Sequence, residues 1–147
     1  MIRLPADFKE FLRLLNDRSV EYLLVGGHAV GLHGYPRATA EMDVWVAVNP
    51  QNADQLTEAV KEFGFAVPDL NPSMFLGKGK IIRMGLPPLR IEIMTDITGV
   101  QFEDCYQRRM VAEIEGVQVP YIHLEDLKVN KKAAGRLKDL NDLENLP

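Results

Sequence analysis

The 147-residue sequence contains a single cysteine, Cys105, so no disulfide can form within it. It has no apolar run approaching the roughly 20 residues that a membrane-spanning helix needs. Residues 1–7 also lack the charged and then apolar layout of a secretory signal. Because a lone cysteine is typical of reducing compartments, we expect a cytoplasmic protein with no membrane partner.

Positive charge is scarce as well. The 17 lysines and arginines are outnumbered by 21 aspartates and glutamates, which gives a net charge of −4. This balance argues against a surface built for nonspecific nucleic-acid binding. The sequence has no internal repeats or linkers, and its length is typical of one domain. We therefore expect residues 1–147 to form a single domain on which a helical segment, residues 124–147, packs.

The apolar pattern predicts helices and strands in mixed order. The predicted helices are residues 5–17, 28–33, 50–63, 101–109, 124–134 and 138–146, and the predicted strands are 22–25, 42–48, 81–84, 89–94, 111–114 and 117–122. Gly85-Leu86-Pro87-Pro88 separates two of these strands, and Pro120 would confine the last to a sheet edge or an irregular path. The order predicts an α/β domain of the α+β type, in which a mixed sheet has helices on one face and an open face that bears carboxylates.

A glycine pair, Gly26-Gly27, follows the first predicted strand and precedes a short predicted helix. Such a turn directs unpaired backbone N–H groups at one point, where the helix dipole favours an anion. Glycine also lets a phosphate approach the backbone closely, because it has no Cβ. The pattern is typical of a phosphate site, although a tight turn alone would also explain the two glycines.

Three acidic residues follow this turn on two predicted strands. Glu41 and Asp43 are two residues apart, so their side chains leave the same face, and Glu92 has the same orientation on a later strand. If the two strands are neighbours, Glu92 lies about 5 Å from the pair. Carboxylates this close repel one another unless a cation neutralises them. Mg²⁺ or Mn²⁺ fits, because hard ions take carboxylate oxygens together with substrate phosphates.

Each acid also has a plain structural interpretation. Glu41 and Asp43 can be exposed strand carboxylates, and Glu92 can form an ion pair with Arg90 or Arg83. We prefer the metal site because the acids lie beside apolar neighbours and follow a phosphate-type turn.

In this order and spacing the residues resemble the nucleotidyltransferase superfamily of DNA polymerase beta. Its members share a glycine-rich turn, two acids that flank one apolar residue, and a third acid on a later strand, which Gly26-Gly27, Glu41-Met42-Asp43 and Glu92 match. The chain resembles in particular the compact, stand-alone bacterial and archaeal branch, some members of which act in toxin–antitoxin or phage-defence systems. The resemblance covers nearly the whole chain, including a tail at residues 130–139. That branch usually has aspartate where Glu41 stands.

The resemblance implies a two-layer nucleotidyltransferase-like fold and the transfer of a nucleoside monophosphate from a triphosphate such as ATP to a hydroxyl acceptor, with release of pyrophosphate. It implies that Glu41, Asp43 and Glu92 bind Mg²⁺ or Mn²⁺ and carry the catalysis. RNA, a protein and a small molecule all stay open as acceptors, and a partner protein encoded alongside is possible. The alternative is a weak or inactive member that binds a nucleotide or a partner in a toxin–antitoxin-like system. A metal-dependent nuclease would leave the glycine turn unexplained.

The remaining polar residues near these motifs are expected to bind the nucleotide or to support the fold. Four basic residues gather around Gly135, and a solvated helix end is the commonest explanation for such a run; they are Lys131, Lys132, Arg136 and Lys138. His33 is expected to be structural, Trp45 and Tyr35 to belong to the core and its rim, and Asp96 and Asp139 have no assigned role. The expected nucleotide-binding residues are Gly26, Gly27, His28, Arg37, Thr39, Lys131, Arg136 and Lys138.

Overall fold

A computed structural model describes residues 4–86 and 89–147 of the chain, so residues 1–3 and the predicted break at Pro87 and Pro88 lie outside the described residues. The helices are α1 (Ala6–Asp17), α2 (Gly26–Leu32), α3 (Pro50–Phe63), α4 (Phe102–Gln107), α5 (Leu124–Ala134) and α6 (Leu137–Asn145), with a short 3-10 helix at Pro72–Phe75. The strands are β1 (Tyr22–Val25), β2 (Glu41–Val46), β3 (Ile81–Met84), β4 (Arg90–Met94), β5 (Met110–Ile114) and β6 (Val117–Tyr121). Among the described residues, none of the helices combines the length and apolarity that a bilayer crossing requires.

The helix ends follow from local chemistry. The Asn49 side chain accepts a hydrogen bond from the Asn52 backbone N–H, and Pro50 occupies the first turn of α3. Gly64 ends α3 and Gly135 ends α5, both in the left-handed conformation that glycine adopts without strain. The predicted ends of these two helices are confirmed.

The six described strands form one mixed sheet in the order β3-β4-β2-β1-β6-β5. The central strand β2 runs parallel to β4 and antiparallel to β1. In this register Asp43 is opposite Glu92 on one side and opposite Val25, the residue before the glycine pair, on the other. The expectation that the two acid-bearing strands are neighbours is therefore confirmed.

One face of the sheet forms the larger hydrophobic core. Alternate residues of the central strands, such as Val44 and Ile93, are buried there together with Phe11 of α1 and Leu56 of α3. Because side chains alternate along a strand, the residues between these apolar ones face the other side. Burial of this face thus fixes which side the three acids take.

The opposite face carries a smaller core, in which Trp45 packs edge-on against Phe102 of α4 and Leu127 of α5 contributes an apolar side chain. The mixed sheet and the α+β class are as predicted, and Trp45 is a core residue as expected. Helices cover part of the carboxylate-bearing face, which stays open along β3, where Ile81 and Arg83 are exposed.

Of the two placements expected for Pro120, the sheet edge is wrong, because β6 lies inside the sheet between β1 and β5, whereas the irregular strand agrees with its pairing to β1. Its ladder with β1 is short, with one register pair, Leu24 and Tyr121. The Ile122 N–H donates to the Leu24 carbonyl at 3.1 Å. In a regular strand the nitrogen two residues earlier faces the same neighbour, and there Pro120 has no hydrogen to donate. Proline thus shortens the ladder without moving β6 to the edge.

We predict that Phe11→Ala lowers the free energy of unfolding by about 3–5 kcal/mol, since it opens a cavity at a fully buried position. Leu137→Ala is the control, because Leu137 is 88% exposed and its truncation is expected to change stability by less than about 0.5 kcal/mol. Urea denaturation measures both, and equal effects of the two substitutions would contradict the assignment of the core.

Candidate active site

The glycine pair forms the first turn of α2, which begins at Gly26, two residues earlier than predicted. Gly26 has φ +66°, and a Cβ built on it would lie 2.2 Å from Asp43 Oδ2. A Cβ on Gly27 would lie 2.9 Å from Thr39 Cβ. The Thr39 hydroxyl in turn donates to the Glu41 carbonyl at 3.1 Å. Both glycines are therefore needed for the close approach of this corner to the start of β2.

Glu41, Asp43 and Glu92 converge on one point. Each offers a carboxylate oxygen, and these oxygens all lie within 4.8 Å of one another. Asp43 Oδ1 is buried and has no hydrogen-bond partner among the described residues. Because an unpaired buried acceptor is costly, this oxygen is suited to a proton or a cation. The arrangement is chemically a site for a hard divalent ion.

Two arginines contact the same acids. Arg90 donates to Glu41 and lies 3.7 Å from Glu92, while Arg83 Nε donates to Glu92 Oε2 at 3.3 Å. Glu92 therefore forms the ion pairs with Arg83 and Arg90 that its plain structural interpretation predicted, and it also belongs to the carboxylate cluster. The two interpretations are not exclusive, because an arginine can balance a charge that an ion would otherwise neutralise.

Crowding of these acids shifts their proton affinities in different directions. Burial, reinforced by Glu92 and then Glu41, raises the pKa of Asp43 to about 6. Burial and the hydrogen bond with Glu41 also raise the pKa of Glu92. Burial alone would raise the pKa of Glu41 too, but hydrogen bonds with Glu92 and Arg90 hold that pKa below its ordinary value. The cluster thus keeps a proton readily when no ion is bound.

A cavity of about 570 Å³ lies over the cluster. Its wall includes Glu41 and Asp43, whereas Glu92 is only 6% exposed and does not belong to the wall. The predicted nucleotide-binding residues that line it are Gly26, Gly27, Arg37, Thr39, Lys131, Arg136 and Lys138. The structure thus brings nearly the whole predicted set together around one space.

His28 is the exception among the predicted binding residues. Its ring packs edge-on against the ring of Phe8 of α1, with the ring centroids 5.6 Å apart, and takes no part in the cavity wall. Burial, with a smaller effect of Arg37, lowers the pKa of His28 to about 4, so the ring is neutral. This placement corrects the prediction that His28 contacts a phosphate: since α2 begins at Gly26, its third residue turns towards α1.

His33 has the structural role expected of it. Its Nε2 lies 2.7 Å from the Ile122 carbonyl, and its ring packs on Tyr121 with the centroids 5.0 Å apart. The histidine therefore ties the end of α2 to the end of β6. Tyr35 is likewise a rim residue, and its hydroxyl accepts a hydrogen bond from Asn141 of α6 at 3.2 Å.

Three of the four basic residues in the wall are held by two buried aspartates of α6. Asp142 accepts hydrogen bonds from Arg37 Nε and Nη2 at 2.7 and 2.8 Å. Lys131 Nζ lies 3.0 Å from Asp142 and 3.2 Å from Asp139, and Arg136 Nε donates to Asp139 at 2.7 Å. Lys131 is 3% exposed. This network excludes the solvated helix end for Lys131, since long cations are buried only when paired.

Asp142 is a site-wall partner that sequence analysis missed. Asp139 and Asp142 are three residues apart and face one side of α6, directly after a cluster of basic residues. This spacing after the basic cluster is the sequence feature from which the pairing of Asp142 with the cations could have been predicted. Lys138, on the same helix, is exposed and makes no ion pair within the described residues, although it lies near enough to Asp43 and Glu41 to favour their charged forms.

The far end of the cavity has a different chemistry. Asp96, which had no assigned role, lies in this wall and accepts a hydrogen bond from the Gly79 N–H at 3.0 Å. Thr98 and Asn130 add polar groups, and the side chain of Asn130 donates to the Thr98 carbonyl at 2.9 Å. The apolar residues of this end are Ile81, Met94 and Ile97. The cavity therefore has one half lined by cations and another half lined by a mixture of polar and apolar side chains.

Comparison with protein families gives one match over almost the whole chain. The model described as "Nucleotidyltransferase of unknown function (DUF6036)" matches residues 2–146. No curated protein matches the chain. The family match covers the glycine corner, the acids and the C-terminal helices together.

Solved structures share the fold at low sequence identity. A Thermotoga maritima protein described as a nucleotidyltransferase has a TM-score of 0.66 at 17% identity, over 94% of this chain and 88% of that one. The lincosamide antibiotic adenylyltransferase LnuA, solved with lincomycin bound, gives 0.62 at 13% identity, over 97% and 96%. An antigenic nucleotidyltransferase-like protein from Paracoccidioides brasiliensis gives 0.55 at 20% identity, over 97% and 77%. At these identities the similarity establishes the fold alone.

We predict that metal-free Asp43→Asn is more stable than the wild type at pH 7.5 but not at pH 4. The folded state holds a proton on Asp43 up to about pH 6, whereas the ordinary pKa is 3.8. The free energy of unfolding therefore falls as the pH rises through this window, by up to about 3 kcal/mol. The amide of Asp43→Asn has no such proton to lose, so this pH-dependent fall in the free energy of unfolding is absent from the variant.

The measurement is urea denaturation in EDTA at both pH values. Asp54→Asn is the control, because Asp54 is an exposed residue of α3. An Asp43→Asn protein that is less stable than the wild type at pH 7.5 would contradict the crowding of the acids.

Proposed function

The chain belongs to the DUF6036 family of nucleotidyltransferases, and from this premise we propose that it transfers a nucleoside monophosphate from a triphosphate such as ATP to a hydroxyl group, with release of pyrophosphate. The observation that carries the proposal is the convergence of Glu41, Asp43 and Glu92 beside the Gly26-Gly27 corner. The cations of the cavity wall support it, because they complement a triphosphate.

Glu41, Asp43 and Glu92 would hold the divalent ion of the reaction, Mg²⁺ or Mn²⁺. The fit rests on the unpaired Oδ1 of Asp43 and on a donor set made of carboxylate oxygens only. A bound ion supplies neutralisation of charge on the phosphates and a lower pKa for the acceptor hydroxyl.

The remaining residues would act by positioning and by charge. Backbone N–H groups at Gly26 and Gly27 would face the phosphates, and Arg37 and Lys138 would balance the charge of the leaving pyrophosphate. Such transfers need little covalent help from the protein, so no side-chain nucleophile is required.

The acceptor would enter from the far half of the cavity. In-line displacement requires the attacking oxygen to lie opposite the leaving pyrophosphate, and thus away from the glycine corner. Met94 follows Glu92 by two residues on β4, so the apolar patch begins about 7 Å beyond the acids. Asp96 could accept a hydrogen bond from the acceptor there. RNA, a protein and a small molecule are the acceptors to test; the similarity to a lincosamide adenylyltransferase adds lincosamides to the small molecules.

We predict that Asp43→Asn reduces nucleotidyl transfer at least a hundredfold, roughly the effect of removing one preorganised electrostatic contact in an active site. Labelled triphosphates with Mg²⁺ and the three acceptor classes provide the assay, and calorimetric titration with Mn²⁺ reports the loss of the ion site independently of turnover. Asp54→Asn, on the exposed face of α3, serves as the matched control. Transfer that persists in Asp43→Asn would refute the mechanism.

A member that binds a nucleotide without turnover, as one half of a toxin–antitoxin-like pair, is the second candidate. The contacts of Arg90 with Glu41 and Glu92 favour it, because they place a fixed cation on two of the three acids. Glu41 also replaces the aspartate usual in the compact branch, and its longer side chain would move an ion away from the position of the shorter one.

We predict that Arg90→Gln binds Mn²⁺ at least about tenfold more tightly than the wild type, since a cation within about 4 Å of the acids opposes a second one. If the wild type binds nucleotide but no Mn²⁺, while Arg90→Gln binds the ion, the second candidate is favoured. Arg109→Gln is the control, because Arg109 is exposed and stacks on Tyr106. Unchanged Mn²⁺ affinity in Arg90→Gln would show that Arg90 does not compete with the ion.

A further inference from the structure

Arg37 lies in the cavity wall with a guanidinium group that is fixed on one side. Its Nε and Nη2 both donate to Asp142, at 2.7 and 2.8 Å. Within the described residues, the third nitrogen, Nη1, makes one long hydrogen bond, 3.4 Å to the Ala38 carbonyl, and it lies 3.2 Å from the point where a Cβ on Gly27 would stand. Nη1 is therefore the part of Arg37 that is left for a ligand over the glycine corner.

Asp142 is fully buried and lies 105 residues further along the chain, in α6. Two cations surround it, Arg37 on one side and Lys131, at 3.0 Å, on the other. A buried carboxylate is costly unless it is paired and hydrogen-bonded, and among the described residues the Asp142 carboxylate pairs with Arg37 and Lys131, both in the cavity wall. The role of Asp142 is thus linked to the orientation of these cations.

We propose that Asp142 is a positioning residue of the phosphate site: its carboxylate grips one edge of the Arg37 guanidinium so that Nη1 faces the phosphates at the Gly26-Gly27 corner. A planar guanidinium held by two parallel hydrogen bonds has a single orientation, which an arginine free in solvent lacks. This inference rests on the proposed function, since it assigns the phosphate end of the same site.

Two other roles of Asp142 give different results. If the carboxylate only neutralised Arg37 and Lys131, its removal would leave more positive charge in the wall and would strengthen the binding of an anion. If it only attached α6 to the rest of the domain, its removal would lower stability without a selective effect on binding. Of the three roles, only the positioning of Arg37 predicts that removal of the Asp142 carboxylate weakens anion binding, although a negative charge has been lost.

The experiment uses inorganic tripolyphosphate in Mg²⁺ buffer as the probe, with calorimetry on the full chain. We expect Asp142→Asn to weaken tripolyphosphate binding by about tenfold or more, the effect of one charge-assisted hydrogen bond to a ligand. Asp126→Asn is the matched control, because Asp126 of α5 accepts two hydrogen bonds from Arg108, at 2.9 and 3.0 Å, and both residues lie outside the cavity wall. The affinity of Asp126→Asn for tripolyphosphate is expected to equal that of the wild type. Thermal unfolding of both variants reports any loss of folding.

A double-mutant cycle then tests the route through Arg37. In an Arg37→Ala background, Asp142→Asn is expected to weaken binding by no more than about twofold, since the residue that it positions is gone. An NMR readout free of ligand accompanies it: the Arg37 Nε–H resonance is expected to shift and broaden in Asp142→Asn and to stay unchanged in Asp126→Asn.

Tighter or unchanged tripolyphosphate binding in Asp142→Asn, or full additivity in the cycle, would overturn the proposal, as would a wild type that does not bind the probe. Failure of the proposed function is a separate result. It would appear as tripolyphosphate binding that depends on Asp142 in a protein that transfers no nucleotide to any acceptor.

Discussion

The parallel pairing of β2 with β4 is the constraint on which the candidate site depends. It sets Asp43 opposite Glu92, and the two-residue alternation then brings Glu41 to the same face. A shift of one residue in this register would turn an acid into the larger core and an apolar side chain such as Ile91 into the cavity. Because the apolar residues between the acids are buried, packing of the core and convergence of the acids are one and the same requirement.

Charged side chains are paired with opposite charges in two places, at the acid cluster and in the wall of the cavity. Arg90 and Arg83 contact the acids directly, so the cluster is tolerable without an ion. Further along the wall the balance is reversed, and aspartates of α6 hold the cations that face the cavity. Most of these acids and cations are thus paired with one another, whereas Asp43 Oδ1 and the Lys138 ammonium group have no hydrogen-bond or ion-pair partner among the described residues. Under the proposed function, an ion would take the unpaired oxygen of Asp43, and a triphosphate would contact Nη1 of Arg37 while Asp142 stays bound to the other edge of the guanidinium.

Local patterns in the sequence predicted most of the elements and most of the residues that meet around the cavity, whereas the roles of those residues stay predictions. Alternation in β2 and β4 identified the face of the acids, and the Gly26-Gly27 pair marked the corner beside them. What depends on long-range packing was not predictable. The orientation of His28 follows from its contact with Phe8, and the role of Asp142 follows from a bond that spans 105 residues. The inner position of β6 likewise depends on which strand adds outside it, which no local pattern encodes.

The buried pairs between α6 and the wall also bear on the order in which the domain matures. On the ribosome, Arg37 and Lys131 emerge before the helix that carries Asp139 and Asp142. Until α6 docks, the nascent chain holds its three acids without the fixed arginine of the opposite wall. Under the proposed function, the ability to hold a triphosphate would thus arise only after the sheet has formed and α6 has docked on it.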